Sequence, residues 1–374
     1  MKFTISSNKL LKYLQYFNGI INYNNPISIL NNFIFKVKDK KLFVLASDLE
    51  ITLITKIDII KNYQIGKIAV PAKLIINTLK NFNEQPITFY SENEHILNII
   101  SQYGNYTITI QNAETFPNIS NINYIGTIKL STNTFSKIID KTLFASGNDE
   151  FKQVMTGVFF DITPNKSVFV STDSYKLVKY VRKDIIINNN QIAKLIIPKK
   201  PLKILKSILK TKKEEQLTIY YNDSHTKFSL SDKTLICKLI TGNYPNYESV
   251  IPKNNDKKFI INKNIFLNSL KRMALFSSKK NYQICLDLKY QKLNLIAKDI
   301  DFSNKAFETL KCDYTGKDFK IGFNSKFLID IISHIDGENI IFELSKPNLA
   351  VILKPFDSLE EEELLMLVMP YYSQ

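Results

Sequence analysis

"VPAKLIINTLKNF", residues Val70 to Phe82, reads as a strand end, a proline at the first turn of a helix, and an amphipathic run with lysines on one side. A proline is tolerated there because the first helical N–H groups have no partner within the helix. The stretch returns as "IPKKPLKILKSIL", Ile197 to Leu209. With one residue dropped after the proline, Lys73, Asn77, Leu79, Lys80 and Phe82 fall on Lys199, Lys203, Leu205, Lys206 and Ile208. "GFNSKFLIDIISHI", Gly322 to Ile335, is a weaker third copy, with Lys326, Asp330 and Ser333 in the polar places. The copies lie about 125 residues apart.

Other landmarks keep that period. "ASDLEITLITKI" from Ala46 resembles "STDSYKLVKYVR" from Ser171 and, loosely, "AKDIDFSNKAFE" from Ala297. "TIQNAETFPNISNI" from Thr109 resembles "KLITGNYPNYESVI" from Lys238. Each third opens on a short helical pattern: "NKLLKYLQYF", "NTFSKIIDKTLF", "NKNIFLNSLKRM". A repeat of this length is a domain rather than a solenoid unit. The expected organisation is three homologous domains, 1–124, 125–252 and 253–374. Runs such as "KLFVLAS", "ITLITKI", "SVFVST" and "IIFELS" alternate with period two, as strands do. Each third is expected to be α+β, with two helices and about eight short strands in antiparallel sheets.

The chain of 374 residues suits two or three cores rather than one. A 44% hydrophobic and 12% aromatic content is that of a globular protein. No run of 18 apolar residues and no apolar signal core in "MKFTISSNKL" point to a cytoplasmic protein without membrane contact. Cys237, Cys285 and Cys312 are scattered and odd in number, which excludes a disulfide framework and shows no metal-ligand spacing. The formal charge of +15 suggests a polyanionic partner. With only two arginines, Arg182 and Arg272, and with Asn, Ile and Lys everywhere, the count reflects compositional bias as readily as function. Where the lysines point is more informative.

Lys199, Lys203, Lys206 and Lys210 are spaced 4, 3 and 4, one stripe of a helix. Leu202, Ile204, Leu205, Ile208 and Leu209 take the opposite face. Lys73, Asn77 and Lys80 form the same stripe in the first copy, with Leu74, Ile75, Leu79 and Phe82 opposite. Lys137 and Lys141 neighbour each other at i,i+4. A domain of this length is roughly 30–35 Å wide, so six would close around a hole on the order of 30 Å. Duplex DNA, roughly 20 Å across, passes through such a hole, and three domains per chain make it a two-chain ring closed head to tail.

An enzyme needs a catalytic constellation. No G-x-x-x-x-G-K-[ST], H-E-x-x-H or G-x-S-x-G occurs. His95, His225 and His334 lie in unrelated segments, and Asp48, Glu50 and Asp173 follow strands where they would cap turns. A phosphodiesterase is the weakest reading, and a basic scaffold that binds DNA without encircling it is the stronger rival.

"MKFTI", "SDLE" at Ser47, "STDSYKL" at Ser171, "YPNYESVIP" at Tyr244, "IGFNSKFL" at Ile321 and "LVMP" at Leu367, in that order and spacing, resemble the bacterial DNA sliding clamp, the beta subunit of the replicative polymerase. The resemblance covers the whole chain. It implies three similar domains, a head-to-tail homodimeric ring, no catalysis and no cofactor. It implies double-stranded DNA, the polymerase catalytic subunit, an ATP-dependent clamp loader and other repair and replication proteins as partners. By resemblance Lys73, Lys80, Lys137, Lys141, Lys199, Lys200 and Lys203 face the hole, with Lys206 on the same stripe and Lys152 on a loop. Asn24 and Asn25 stand where relatives often carry arginine, and Gln153 and Val154 where they carry an aromatic pair.

The resemblance also puts a peptide-binding pocket at Val368, Met369, Pro370 and Tyr371. Met155, Thr172, Ser174, Tyr175, Lys176 and Leu177 belong to it, as do Pro245, Val250, Asn324 and Phe327. Tyr175, Lys176 and Ser249 replace the family's usual histidine, arginine and longer basic residue. Leu177, Pro245, Val250, Val368 and Met369 are expected as apolar walls, and Asn324 as a hydrogen-bonding anchor. Tyr106 and Ile108 are expected against Leu275 and Phe276 at the dimer interface. "LEEEELL", Leu359 to Leu365, is read as a solvated acidic loop.

Overall fold

The computed structural model describes every residue except 24, 94, 118–121, 187–191, 211–213, 300, 358 and 372–374. Asn24 and the last three residues of the C-terminal stretch therefore lie outside the described residues. Six α-helices are described: α1 (Ser7–Gln15), α2 (Ala72–Lys80), α3 (Thr132–Thr142), α4 (Lys199–Leu209), α5 (Lys263–Leu275) and α6 (Ser325–Ser333). They fall in pairs, two to each third of the chain. Nearly every other element is an antiparallel strand, so the α+β expectation holds.

The residues form two compact units, Met1–Ser136 with Lys200–Leu239, and Lys137–Lys199 with Ile240–Gln374. The first holds a five-stranded sheet in the order Lys61–Gln64, Lys2–Ser6, Pro86–Tyr90, Ile96–Ile100, Asn105–Thr109. It also holds an eight-stranded sheet, whose halves come from consecutive repeats. They are joined where Ile51–Asp58 pairs antiparallel with Lys233–Lys238, Leu53 facing Leu235. The second unit repeats the device. Lys176–Arg182 pairs with Glu362–Val368, Leu177 facing Leu367, within another eight-stranded sheet. Its four-stranded sheet runs Asn304–Lys311, Lys292–Asp299, Gln283–Lys289, Phe319–Asn324. Ladder hydrogen bonds across a repeat boundary are as good as those within a repeat, so the middle repeat is shared out between the units.

The helices form where the sequence lets them cap and bury. Ser6, Asn262 and Asn324 accept hydrogen bonds from the first-turn N–H groups of α1, α5 and α6. Pro71 precedes α2 without a side-chain cap. On α4, Leu202, Ile204, Leu205, Ile208 and Leu209 are all buried, as the stripe predicts. On α2, Ile75, Ile76 and Leu79 are buried, but Leu74 is half exposed. Leu74 is thus wrongly placed by the sequence reading, because the buried Ala72, Ile75, Ile76 and Leu79 keep the i, i+3, i+4, i+7 spacing of one face and Leu74 falls outside it. A core of the second unit joins Phe259, Phe266 and Phe342 with Leu286, Leu295 and Leu353. Among the described residues no helix is long and apolar enough to cross a membrane.

Candidate functional site

All the expected pocket residues belong to the second unit. Their centre is the turn between strands Ser167–Thr172 and Lys176–Arg182. Asp173 Oδ1 accepts from the N–H groups of Tyr175 and Lys176, both at 2.9 Å. Thr172 Oγ1 donates to the Lys176 carbonyl and accepts from the Ser174 N–H. Ser174 takes a φ of 78°, the left-handed region that few non-glycine residues adopt. The Asp–turn motif therefore does the capping that the sequence suggested for Asp173. It thrusts Tyr175 into solvent, where its ring stacks on Phe327 at 5.6 Å.

The C-terminal segment closes the other side. Met369 N–H donates to the Tyr175 carbonyl at 2.8 Å, and Tyr371 N–H to the Gly322 carbonyl at 2.7 Å. A Cβ on Gly322 would meet the Tyr371 carbonyl oxygen at 2.8 Å, so only glycine admits the segment there. Met369, Tyr371 and Val250 are exposed, Pro245 and Pro370 half-buried. Met155 lies beside the turn, its sulfur 3.5 Å from Ser174 Oγ, and Lys152 Nζ donates to the same hydroxyl at 3.1 Å.

Four expected pocket residues also hold the fold together. Leu177 and Val368 are buried, Leu177 in the cluster with Val170 and Leu367, Val368 in the core with Phe342 and Leu353. The register, with Leu177 facing Leu367 and Lys176 facing Val368, puts the two on opposite faces of the sheet. Asn324 caps α6 through Oδ1, 2.9 Å from the Lys326 N–H. Lys176 is buried. Its ammonium lies 3.0 Å from Asp330 Oδ2 and 5.3 Å from the Phe327 ring centroid. It ties the pocket turn to α6.

The lysines divide similarly. Lys73, Lys80 and Lys203 are exposed, and among the described residues they enter no ion pair. Lys206 is half-buried on the same stripe as Lys203. Lys200 reaches Asp48 at 2.5 Å, and Lys199 donates to the Ser146 carbonyl and Asn148 Oδ1, both at 3.0 Å. Lys137 pairs with Glu362 at 2.6 Å. Lys141 contradicts its expected place at a DNA surface. It is buried, 2.6 Å from both the His334 carbonyl and Asp336 Oδ1. The i,i+4 spacing correctly aligned it with Lys137, but spacing does not tell which face the chain covers.

Glu362 also corrects the acidic-loop reading. Its carboxylate is largely buried and receives Lys137, Arg182 Nη1 at 3.0 Å and the Tyr180 hydroxyl. Phe151, which the sequence reading passed over, is fully exposed next to Lys152. An aromatic in the polar string "NDEFKQ" is the signal that could have marked it.

At the expected interface, Leu275 is 78% exposed at the end of α5, with Phe276 half exposed beside it. Phe307 protrudes from the edge strand Asn304–Lys311. Tyr106 lies half exposed on the edge strand Asn105–Thr109, against Phe82. Ile108 does not join it. It is buried in the first unit, where the fold draws that part of the strand into the core.

Family models for the N-terminal, central and C-terminal domains of the DNA polymerase III beta subunit match residues 1–120, 129–246 and 248–371. The chain belongs to the DNA polymerase III beta-subunit family. The beta sliding clamp of Buchnera aphidicola subsp. Rhopalosiphum padi is 28% identical over 369 residues, 98% of this chain and 100% of that one. That of Pseudomonas putida is 25% identical over 354 residues, 95% and 96% of the two chains. The fold is that of the solved clamps. The Pseudomonas aeruginosa structure bound to griselimycin aligns over the whole of both chains at 24% identity and a TM-score of 0.93. The beta subunit of Thermotoga maritima does so at 23% and 0.89. In beta-subunit terms the chain has three clamp domains built of helices and antiparallel sheets.

Proposed function

We propose that the chain is a DNA polymerase processivity factor: a non-catalytic homodimer, closed head to tail, that encircles duplex DNA and tethers the replicative polymerase. The observation that carries this reading is the repetition of one helix. The stripe Lys73, Asn77 and Lys80 on α2 recurs as Lys199, Lys203 and Lys206 on α4, and Lys73, Lys80 and Lys203 are exposed. Long lysine side chains meet phosphates without reading bases, so the contact tolerates sliding. Domains at 1–124, 125–252 and 253–374 make six around the ring.

Two open sheet edges support the closure. Asn105–Thr109 and Asn304–Lys311 each have one unpaired side among the described strands, and an open edge is a template for another strand. The exposed Leu275, Phe276 and Phe307 of the second unit and Tyr106 of the first supply the apolar contacts. The groove around Tyr175, Val250 and Met369 takes the apolar-aromatic tail of the polymerase or of other repair and replication proteins. Opening the ring falls to a separate ATP-dependent loader. Work on chromosomal DNA puts the protein in the cytoplasm.

Retention on nicked circular DNA tests this. The chain, once loaded, should stay on circles at moderate salt and be lost when they are linearised. Equal retention on both forms would leave a basic scaffold that does not encircle DNA.

A further inference from the structure

The groove of the second unit has a counterpart in the first. A cleft of about 220 Å³ lies beside the turn Ser47–Thr52, the segment that the internal repeat aligns with Thr172–Leu177. The two turns share their hydrogen bonds. Asp48 Oδ1 accepts from the Glu50 and Ile51 N–H groups, as Asp173 does from Tyr175 and Lys176. Ser47 Oγ accepts from the Leu49 N–H at 3.1 Å, as Thr172 Oγ1 does from Ser174. Leu49 has a φ of 74° where Ser174 has 78°. The Lys238 N–H donates to the Glu50 carbonyl at 3.0 Å, the place of Met369 on Tyr175.

The walls match as well. Phe116 and Pro117 stand where Tyr244 and Pro245 do, and Ile236 and Ile122 extend the apolar lining. The register that opposes His225 to Lys238 sets His225 at the place of Ala350. The scaffold is thus kept while its lip changes from Met369, Ala350 and Tyr175 to Lys238, His225 and Glu50. Lys200 pins the turn through Asp48, so the cleft is formed in advance.

We propose that this cleft is a second peptide groove. Its occupant is a short extended segment of a partner protein with one bulky apolar side chain beside a carboxylate. The apolar side chain goes against Leu49, Pro117 and Ile236. The carboxylate goes to Lys238, half exposed and held by Glu50 at 2.9 Å. An ion pair that exposed is worth little, so a ligand carboxylate displaces Glu50 at small cost. The inference rests on the reading of the second-unit groove as a peptide site, since the repeat carries that role across.

Fluorescence anisotropy of two labelled probes on the full chain tests it. Acetyl-Gln-Leu-Phe-amide reports the second-unit groove, and acetyl-Gly-Leu-Phe-Asp-Asp-amide the first-unit cleft. The acidic probe should bind the Met369→Asp variant as it binds the wild type. Lys238→Glu should weaken it about tenfold or more, and exchanging its aspartates for asparagines should do the same. Leu49→Asp is a second variant that keeps the turn, because aspartate tolerates the left-handed region, and it should also abolish binding of the probe. Failure of the acidic probe on Met369→Asp, indifference to Lys238→Glu, or no saturable binding overturns the proposal. If the glutamine probe binds while the acidic one does not, only the second groove falls. If the glutamine probe itself fails, the reading of the first groove falls.

Discussion

The N–H of Met369 is hydrogen-bonded to the carbonyl of Tyr175 at 2.8 Å, which clamps the C-terminal segment onto the turn that exposes the tyrosine ring. Both side chains stay in solvent, so substituting them alters the groove and not the core. Met369→Asp or Val250→Asp should weaken a glutamine–leucine–phenylalanine peptide about tenfold in calorimetry and leave thermal unfolding unchanged. Gly322→Ala should weaken it too, because its Cβ displaces Tyr371.

Leu275→Ala with Phe276→Ala should give monomers by sedimentation, with the fold intact. These residues are exposed within one chain, and apolar burial dominates such contacts. Ile108→Ala should act differently. Its side chain is in the core, so it should cost about 2–5 kcal/mol of stability, read as a lower urea midpoint at a concentration where the wild type is dimeric.

Replacing Lys73, Lys80 and Lys203 by glutamate should shorten retention on nicked circles. It should also lower the salt slope by about one for each phosphate that is no longer neutralised. Lys141→Met is the contrast. It should leave the salt slope unchanged and lower stability, because it strips the ion pair from Asp336 and the hydrogen bond from the His334 carbonyl.

Burial alone would raise the pKa of Glu362, but hydrogen bonds from Lys137 and Tyr180 and the charge of Arg182 prevail and hold it below its ordinary 4.5. A depressed folded-state value stabilises above the unfolded value, and that gain disappears as pH falls through the folded one. Glu362→Gln should therefore cost on the order of 2 kcal/mol at pH 7, less than a fully buried pair because the amide still hydrogen-bonds. The gap in urea midpoint between wild type and variant should narrow below about pH 4.5. A gap that stayed constant to about pH 3 would show that charge plays no part.

Much of this protein was legible in the residues. The threefold period, the two helices per repeat and the buried face of α4 follow from spacing, because local periodicity is written along the chain. The aspartate turns at Asp48 and Asp173 follow from short-range hydrogen bonding, which the sequence also carries. What lay hidden was which residues the fold covers. Lys141 and Lys137 share one helix, and Tyr106 and Ile108 one strand, yet Lys141 and Ile108 are buried while their neighbours stay partly exposed. The burial of Glu362 in an acidic string, the pairing of strands from adjacent repeats and the cleft beside Leu49 were likewise settled only in three dimensions. Each depends on segments more than a hundred residues apart meeting in one register, and a periodic pattern specifies which residues share a face but not what that face meets.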